Sequence, residues 1–155
     1  MGTEIERKFL VSGEGWREHV AQASRIRQGY LAVNAKASIR IRIREGYGAQ
    51  LTVKSGGHGL SRSEYEYDIP VSDAQEMLTV CSGRLVEKVR HLVPAGSLTW
   101  EIDVFSGDHA GLVIAEIELP GEGHPVDLPD WIGKEVTGDP AYNNSSLAGA
   151  SIESE

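Results

Sequence analysis

Apolar and charged residues alternate along segment after segment of this chain, and the polar stripe of each segment tends to keep one sign of charge. In Glu4-Ile5-Glu6-Arg7-Lys8 the side chains of Glu4, Glu6 and Lys8 share one parity, while Ile5 and, further on, Phe9 take the other. A β-strand sends successive side chains to opposite faces, so residues of one parity line a single face about 7 Å apart. Arg40 and Arg42 alternate with Ile39, Ile41 and Ile43, Lys54 follows Leu51 and Val53, and Lys88 and Arg90 straddle Val89. Acidic stripes answer them: Glu101 and Asp103 lie among Trp100, Ile102 and Val104, and Glu116 and Glu118 flank Ile117. A face that serves only solubility mixes both signs along each strand. Segregation by strand points to a use for the charge.

Period-two alternation bounded by turn residues predicts eight strands, roughly 3–11, 26–33, 37–45, 49–55, 62–69, 84–92, 98–105 and 112–119. Glu45-Gly46-Tyr47-Gly48 and the glycine-rich Ser55-Gly56-Gly57-His58-Gly59 read as links of antiparallel hairpins. Helices are few and short. Spacing over Trp16 to Ala23 is weakly helical, Ser72-Asp73-Ala74-Gln75 reads as a capping box for a helix ending near Cys81 and Gly83, and Asp130-Trp131-Ile132 suggests a single turn. Asp139-Pro140 supplies an N-cap and first-turn proline for a helix through Tyr142, Asn143 and Leu147. The fold class expected is α+β but mainly β: an eight-stranded antiparallel closed β-barrel with a few short peripheral helices. Residues 1–150 form the single domain and 151–155 a frayed tail.

Such a barrel has room inside for side chains or one small ligand. The charged parity would point inward. Ile5, Phe9, Ile39, Ile41, Val53, Tyr65, Tyr67, Trp100, Ile102 and Ile117 would then face outward, covered by loops, the short helices or a homodimer partner.

Composition narrows the partners. At 155 residues with a formal net charge of −8, the chain suits one compact domain and argues against a nucleic-acid or membrane-surface binder. No apolar run approaches membrane-span length, and the charged N-terminal strand does not resemble a signal peptide. The lone Cys81 has no internal disulfide partner, and a buried structural thiol in a reducing cytoplasm is expected. His19, His58, His91, His109 and His124 lack the spacing of a zinc site, and neither a phosphate-loop motif nor a nucleophile elbow is present.

One parity from each strand gathers the acids Glu4, Glu6, Glu64, Glu66, Glu101, Asp103, Glu116 and Glu118 against the bases Lys8, Arg40, Arg42, Lys54, Arg62, Lys88 and Arg90. Burying such groups without partners costs several kcal/mol per ion, so water, counter-charges or a ligand must be supplied. Carboxylates are hard oxygen ligands suited to Mg²⁺ or Mn²⁺, while Arg forks and Lys ammoniums bind phosphate oxygens. A lumen acidic on one side and basic on the other suits a metal-bound polyphosphate. A salt-bridged core without ligand is the plain alternative, and the number of stripes weighs against it.

These residues carry a resemblance. Glu4-Ile5-Glu6-Arg7-Lys8 resembles the E-x-E-x-K signature of the CYTH superfamily, the triphosphate tunnel metalloenzymes, in its short bacterial form. Arg27-Gln28-Gly29-Tyr30-Leu31, Ile39-Arg40-Ile41-Arg42, Leu51-Thr52-Val53-Lys54, Ser61-Arg62-Ser63-Glu64-Tyr65-Glu66, Glu87-Lys88-Val89-Arg90, Trp100-Glu101-Ile102-Asp103-Val104-Phe105, Ala115-Glu116-Ile117-Glu118 and the closing Glu135-Val136-Thr137-Gly138-Asp139 follow in order. The resemblance implies a tunnel that binds a small-molecule triphosphate with a divalent metal, Mg²⁺ or Mn²⁺. It implies that Glu4, Glu6 and Glu118 hold the metal and that Arg40, Arg42, Lys54, Lys88 and Arg90 grip the phosphates, with Lys8 and Arg62 close by. Glu101, Asp103 and Glu116 would hold or polarise the attacking water, and Lys134 and the Tyr142 helix would close one end. The expected activity is hydrolysis of a triphosphate to orthophosphate, inorganic tripolyphosphate ahead of nucleoside or thiamine triphosphate. The alternatives are an adenylate cyclase making cyclic AMP and pyrophosphate from ATP, and a non-catalytic polyphosphate-binding protein.

Overall fold

The structure, a computed structural model, describes residues 2–55, 61–143 and 147. Strands β1 (Gly2–Val11), β2 (Gln22–Val33), β3 (Ala37–Arg44), β4 (Gly48–Ser55) and β5 (Ser61–Ile69) precede the helix α1 (Val71–Thr79). Then come β6 (Ser82–Ala95), β7 (Leu98–Phe105), β8 (Val113–Glu118) and β9 (Ile132–Glu135). The sheet runs β5-β4-β3-β2-β6-β7-β8-β1-β9, and pairing of β5 with β1 closes the first eight strands into an antiparallel barrel. The eight predicted strands are all present. β2 and β6 are longer than the alternation suggested; the single turn expected at Asp130-Trp131-Ile132 is present, Ile132 N–H donating to Pro129 O at 3.0 Å, and a strand not expected from the sequence, β9, follows it. β9 anneals to Phe9 and Val11 of β1, on a segment that the β1–β5 pairing, confined to residues 2–5, leaves uncovered.

Three helical expectations need correction. Residues Gly15–His19 form only a short 3₁₀ turn, because Trp16 is drawn into the outer core and the chain must enter β2 at Gln22. The N-cap of α1 is Pro70, with no side-chain cap; Ser72 already lies inside the helix, so the capping box does not form. Near the C-terminus the Asp139 cap is present, its carboxylate accepting from Ala141 N–H, but only a 3₁₀ turn Pro140–Tyr142 follows. The rest of that expected helix, the tail 151–155 and the glycine-rich link at 56–60 lie outside the described residues, apart from Leu147.

The barrel wall is inverted relative to an ordinary half-buried sheet, with charge inside and the main apolar core outside. Phe9, Trp100, Ile102, Ala115 and Ile117 on the outward parity pack with Trp16, Leu119 and Trp131 from the connecting segments. Edge-to-face contacts join Phe9 to Trp100 at 5.7 Å and Trp100 to Trp131 at 5.5 Å between ring centres. Ala74 and Leu78 of α1 cover Ile41 and Ala49. Ile39, Val53 and Tyr65 stay half-buried, and Tyr67 is exposed, covered by neither α1 nor the described loops. A third cluster, Tyr30, Val33, Val86, Phe105 and Ile114 with Tyr142 and Leu147, fills the end of the barrel where β2 finishes and β8 begins.

Candidate active site

Register fixes which side chains meet inside. Glu6 stands opposite Glu118 and Lys8 opposite Glu116 on the β1–β8 ladder, and Glu101 opposite Glu116 on β7–β8. Arg90 faces Asp103 across β6–β7, Arg40 faces Thr52 and Lys54 pairs with Glu64 across β4, and Arg62 faces Glu4 across β1–β5. The charged parity of each strand therefore lines one interior. Lys8, Arg40, Lys88, Arg90, Asp103 and Glu116 are buried, whereas Glu4, Glu6, Arg42, Lys54, Arg62, Glu64 and Glu101 are half-buried and Glu66 and Glu118 exposed.

On the acidic flank, Lys54 Nζ lies 3.0 Å from Glu4 and 3.6 Å from Glu64. Burial would raise the Glu4 carboxyl, but Lys54 outweighs it and holds it below its ordinary value. Lys54 relieves Glu6 only in part: burial, with Glu116 and Glu4 acting on it, pushes it up to about 9. Burial and neighbouring Glu4 raise Glu64 to about 7, and burial with Glu4 and Glu101 also raises Glu118. Glu116 is buried as well, yet Lys8, at 4.0 Å, and Arg90 hold it down to about 2. These acids crowd one another and would gain from a cation. Among the described residues no three carboxylates already enclose an ion-sized space. The donors are all carboxylate oxygens, which suit a hard divalent cation whose remaining ligands come from elsewhere.

The basic flank shows the converse. Burial, with Arg40 and Arg90 nearby, lowers Arg42 to about 9, and its Nε donates to Gln28 Oε1 at 2.8 Å. Burial pulls Lys88 down to about 7, with Asp103 opposing and Arg90 and Arg42 reinforcing. Lys88 Nζ is 2.6 Å from Asp103 Oδ2, but makes no hydrogen bond of acceptable geometry. Gln28 Nε2, Arg40 Nε and Arg44 Nη2 are buried donors without an acceptor, and all three belong to the inward parity. Leaving a buried donor unsatisfied costs about 1–3 kcal/mol. Three on one flank leave it short of acceptor oxygens, which a phosphate-rich ligand would supply.

Asp103 differs from the role expected of it. It is 1% exposed, accepts from Arg90 Nε and Nη2 at 2.8 and 2.9 Å and touches Lys88. Those two cations hold its carboxyl far below the usual range despite burial. So held, it is a poor base, and its oxygens orient Arg90 and Lys88. Lys134 sits on β9, exposed, on the face opposite Glu135, which makes a bidentate pair with outward Arg7. Lys8 Nζ donates to Tyr142 O at 3.0 Å, tying the 3₁₀ turn to the barrel. Thr52, Gln28, Tyr30 and Arg44 also face the interior and were not singled out as site residues; extending the alternation along each strand would have found them.

The CYTH domain family model matches residues 2–147. The chain belongs to the CYTH family. A protein of Acetivibrio thermocellus named inorganic triphosphatase is 49% identical over 148 residues, covering 95% of this chain and 94% of its relative. A Nitrosomonas europaea protein of the same name is 41% identical over 151 residues, covering 94% and 97%. The crystal structure of an inorganic triphosphatase is similar with a TM-score of 0.65 and 34% identity, over 97% of this chain and 100% of that one. The inverted, charge-lined barrel is thus the CYTH tunnel, and a divalent metal belongs to the family's chemistry.

Proposed function

We propose that this CYTH protein hydrolyses inorganic tripolyphosphate, with a divalent metal, to orthophosphate and pyrophosphate. The observation that carries the reading is the row of unpartnered buried donors on the basic flank, facing crowded carboxylates across one lumen. Its relatives named inorganic triphosphatase support it. Arg40, Arg42, Lys88 and Arg90 grip phosphate oxygens by charge-assisted hydrogen bonds, with Asp103 fixing the last two, Lys8 and Arg62 beside them, and Lys134 at the β9 end. Glu4, Glu6 and Glu118 supply oxygens for Mg²⁺ or Mn²⁺, which when bound offsets negative charge on the phosphates and lowers the barrier to water attack. Glu4 releases Lys54 as it takes up that role, freeing the ammonium for phosphate. Glu116, kept ionised by Lys8 and Arg90, and Glu101 orient the attacking water for in-line displacement of the terminal phosphate.

The setting is the cytoplasm, in keeping with a lone cysteine, and among the described residues no helix is long and apolar enough to cross a membrane. A net charge of −8 weighs against nucleic acid as a partner. A homodimer burying Tyr65 and Tyr67 belongs to the same reading, and a monomer mass in sedimentation would count against it. The enzymatic reading is tested by incubating the protein with tripolyphosphate or ATP, each with Mg²⁺ and with Mn²⁺. Orthophosphate, pyrophosphate and cyclic AMP are assayed together. Metal-dependent orthophosphate from tripolyphosphate is expected; cyclic AMP from ATP would make it a cyclase, and no product from either would leave a binding protein.

A further inference from the structure

The inward face of β3 carries three arginines in succession, Arg40, Arg42 and Arg44, and the triphosphate clamp uses only the first two. Residues two apart on a strand are separated by about 7 Å, so Arg44 extends the cationic row by one step toward the β3–β4 turn. There the structure has a cavity of about 140 Å³ lined by Arg42, Arg44, Tyr47, Gly48 and Gln50. At about 30 Å³ per water, that volume takes a few waters or one tetrahedral oxyanion.

The lining is built for an anion. Arg44 Nε donates to Ser24 Oγ at 2.8 Å and its guanidinium lies 3.9 Å from the centre of the Tyr47 ring, so the fork is held in place from two sides. Its Nη2 is buried with no acceptor. Arg42 shares the cavity, and its own Nε is taken by Gln28. Gln50 Nε2 donates to Asp68 Oδ1 at 3.2 Å, which places one carboxylate beside the lining. The turn itself needs glycine: Gly46 and Gly48 have φ of 85° and 101°, in the left-handed region that side-chain-bearing residues avoid.

We propose that Arg44, backed by Ser24 and Tyr47, forms an additional phosphate subsite at the β3–β4 end of the tunnel, adjoining the triphosphate clamp at Arg42. It takes the next phosphate group along the row. That group is either the fourth unit of a longer chain or orthophosphate bound beside the triphosphate. The proposal rests on the tunnel being the triphosphate site.

The test is calorimetric titration of wild type, Arg44→Gln, Arg44→Lys and Arg42→Gln with tripolyphosphate, tetrapolyphosphate and orthophosphate, with thermal melting to establish that each variant folds. Wild type should bind tetrapolyphosphate more tightly than tripolyphosphate. Arg44→Gln should weaken tetrapolyphosphate about tenfold, as expected for loss of a charge-assisted bond, and weaken tripolyphosphate far less. Arg44→Lys, which keeps the charge, should recover part of the difference. A fourth-unit site shows this selective loss for tetrapolyphosphate; an orthophosphate site shows a similar loss for orthophosphate added to the tripolyphosphate complex, with tetrapolyphosphate unchanged. If Arg44→Gln alters all three ligands equally or none, the subsite does not exist. If Arg42→Gln leaves tripolyphosphate binding unchanged, the tunnel reading fails instead, whatever Arg44 does.

Discussion

The outer wall and the interior of this barrel are made from the same strands by alternate residues, yet they obey opposite rules. Outside, Trp100, Phe9, Ile102 and Ile117 are buried beneath Trp16 and Trp131 in close aromatic packing. Inside, carboxylates crowd carboxylates, guanidiniums crowd guanidiniums, and donors lack acceptors. The wall stabilises the fold; most of the interior is kept out of electrostatic balance so that a metal and a polyanion can complete it. Strain of this kind at a functional site is offset by packing elsewhere.

Truncating the wall should have the largest effect. Trp100→Ala removes the ring at the centre of the outer core and should destabilise the protein by about 4 kcal/mol, read by chemical denaturation. A loss under about 1 kcal/mol would mean that the wall is not where stability resides. Asp103→Asn sharpens the division, because Asp103 is the interior group whose charge is matched. It should lose about 3 kcal/mol, since Lys88 loses its carboxylate partner and Arg90 keeps only Glu101, at 3.3 Å. Arg42→Gln should do the reverse: stability within about 1 kcal/mol of wild type, but tripolyphosphate affinity lower by about 10- to 100-fold. An Arg42 variant that unfolds while Asp103→Asn is neutral would invert the comparison.

Lys88 gives a pH signature of the same imbalance. Burial holds its ammonium near 7 in the ligand-free fold. A bound polyanion favours the charged form, so binding above pH 7 draws in a proton and affinity falls with rising pH, by at most about tenfold per unit. Lys88→Arg should remove this component, read as proton uptake by calorimetry in buffers of different ionisation enthalpy. For folding alone the sign differs. Between about pH 7 and the ordinary value of 10.5 the unfolded chain holds a proton that the folded chain lacks, so this group by itself makes stability rise with pH. The smallest effect belongs to the wall's exposed charge: Arg7→Ala loses the bidentate pair with Glu135 and should cost less than about 1 kcal/mol.

Strand existence and parity were legible because alternation is a local signal, and it sorted Glu4, Glu6, Arg40, Arg42, Lys88, Arg90 and Glu116 onto one face. β9 was not legible. Its four residues are too few to show a period, and it exists because β1 offers an open edge at Phe9 and Val11. The 3₁₀ turn at Gly15–His19 likewise depends on where Trp16 finds its pocket, a tertiary fact. Asp103 read as one more acid on the lumen; that Arg90 and Lys88 engage its oxygens follows only from the β6–β7 register. Arg44 was within reach of the same alternation that gave Arg40 and Arg42, but nothing in the sequence marks it as buried or unpartnered.

The most direct measurement is the melting temperature of wild type and Arg42→Gln with and without tripolyphosphate, in Mg²⁺. A ligand that binds only the folded state stabilises it by about 2.7 kcal/mol at a hundredfold excess over its dissociation constant. Tripolyphosphate should therefore raise the wild-type melting temperature by several degrees and raise that of Arg42→Gln by no more than about half as much. No shift in wild type, or the same shift in both, would contradict a triphosphate site inside the barrel.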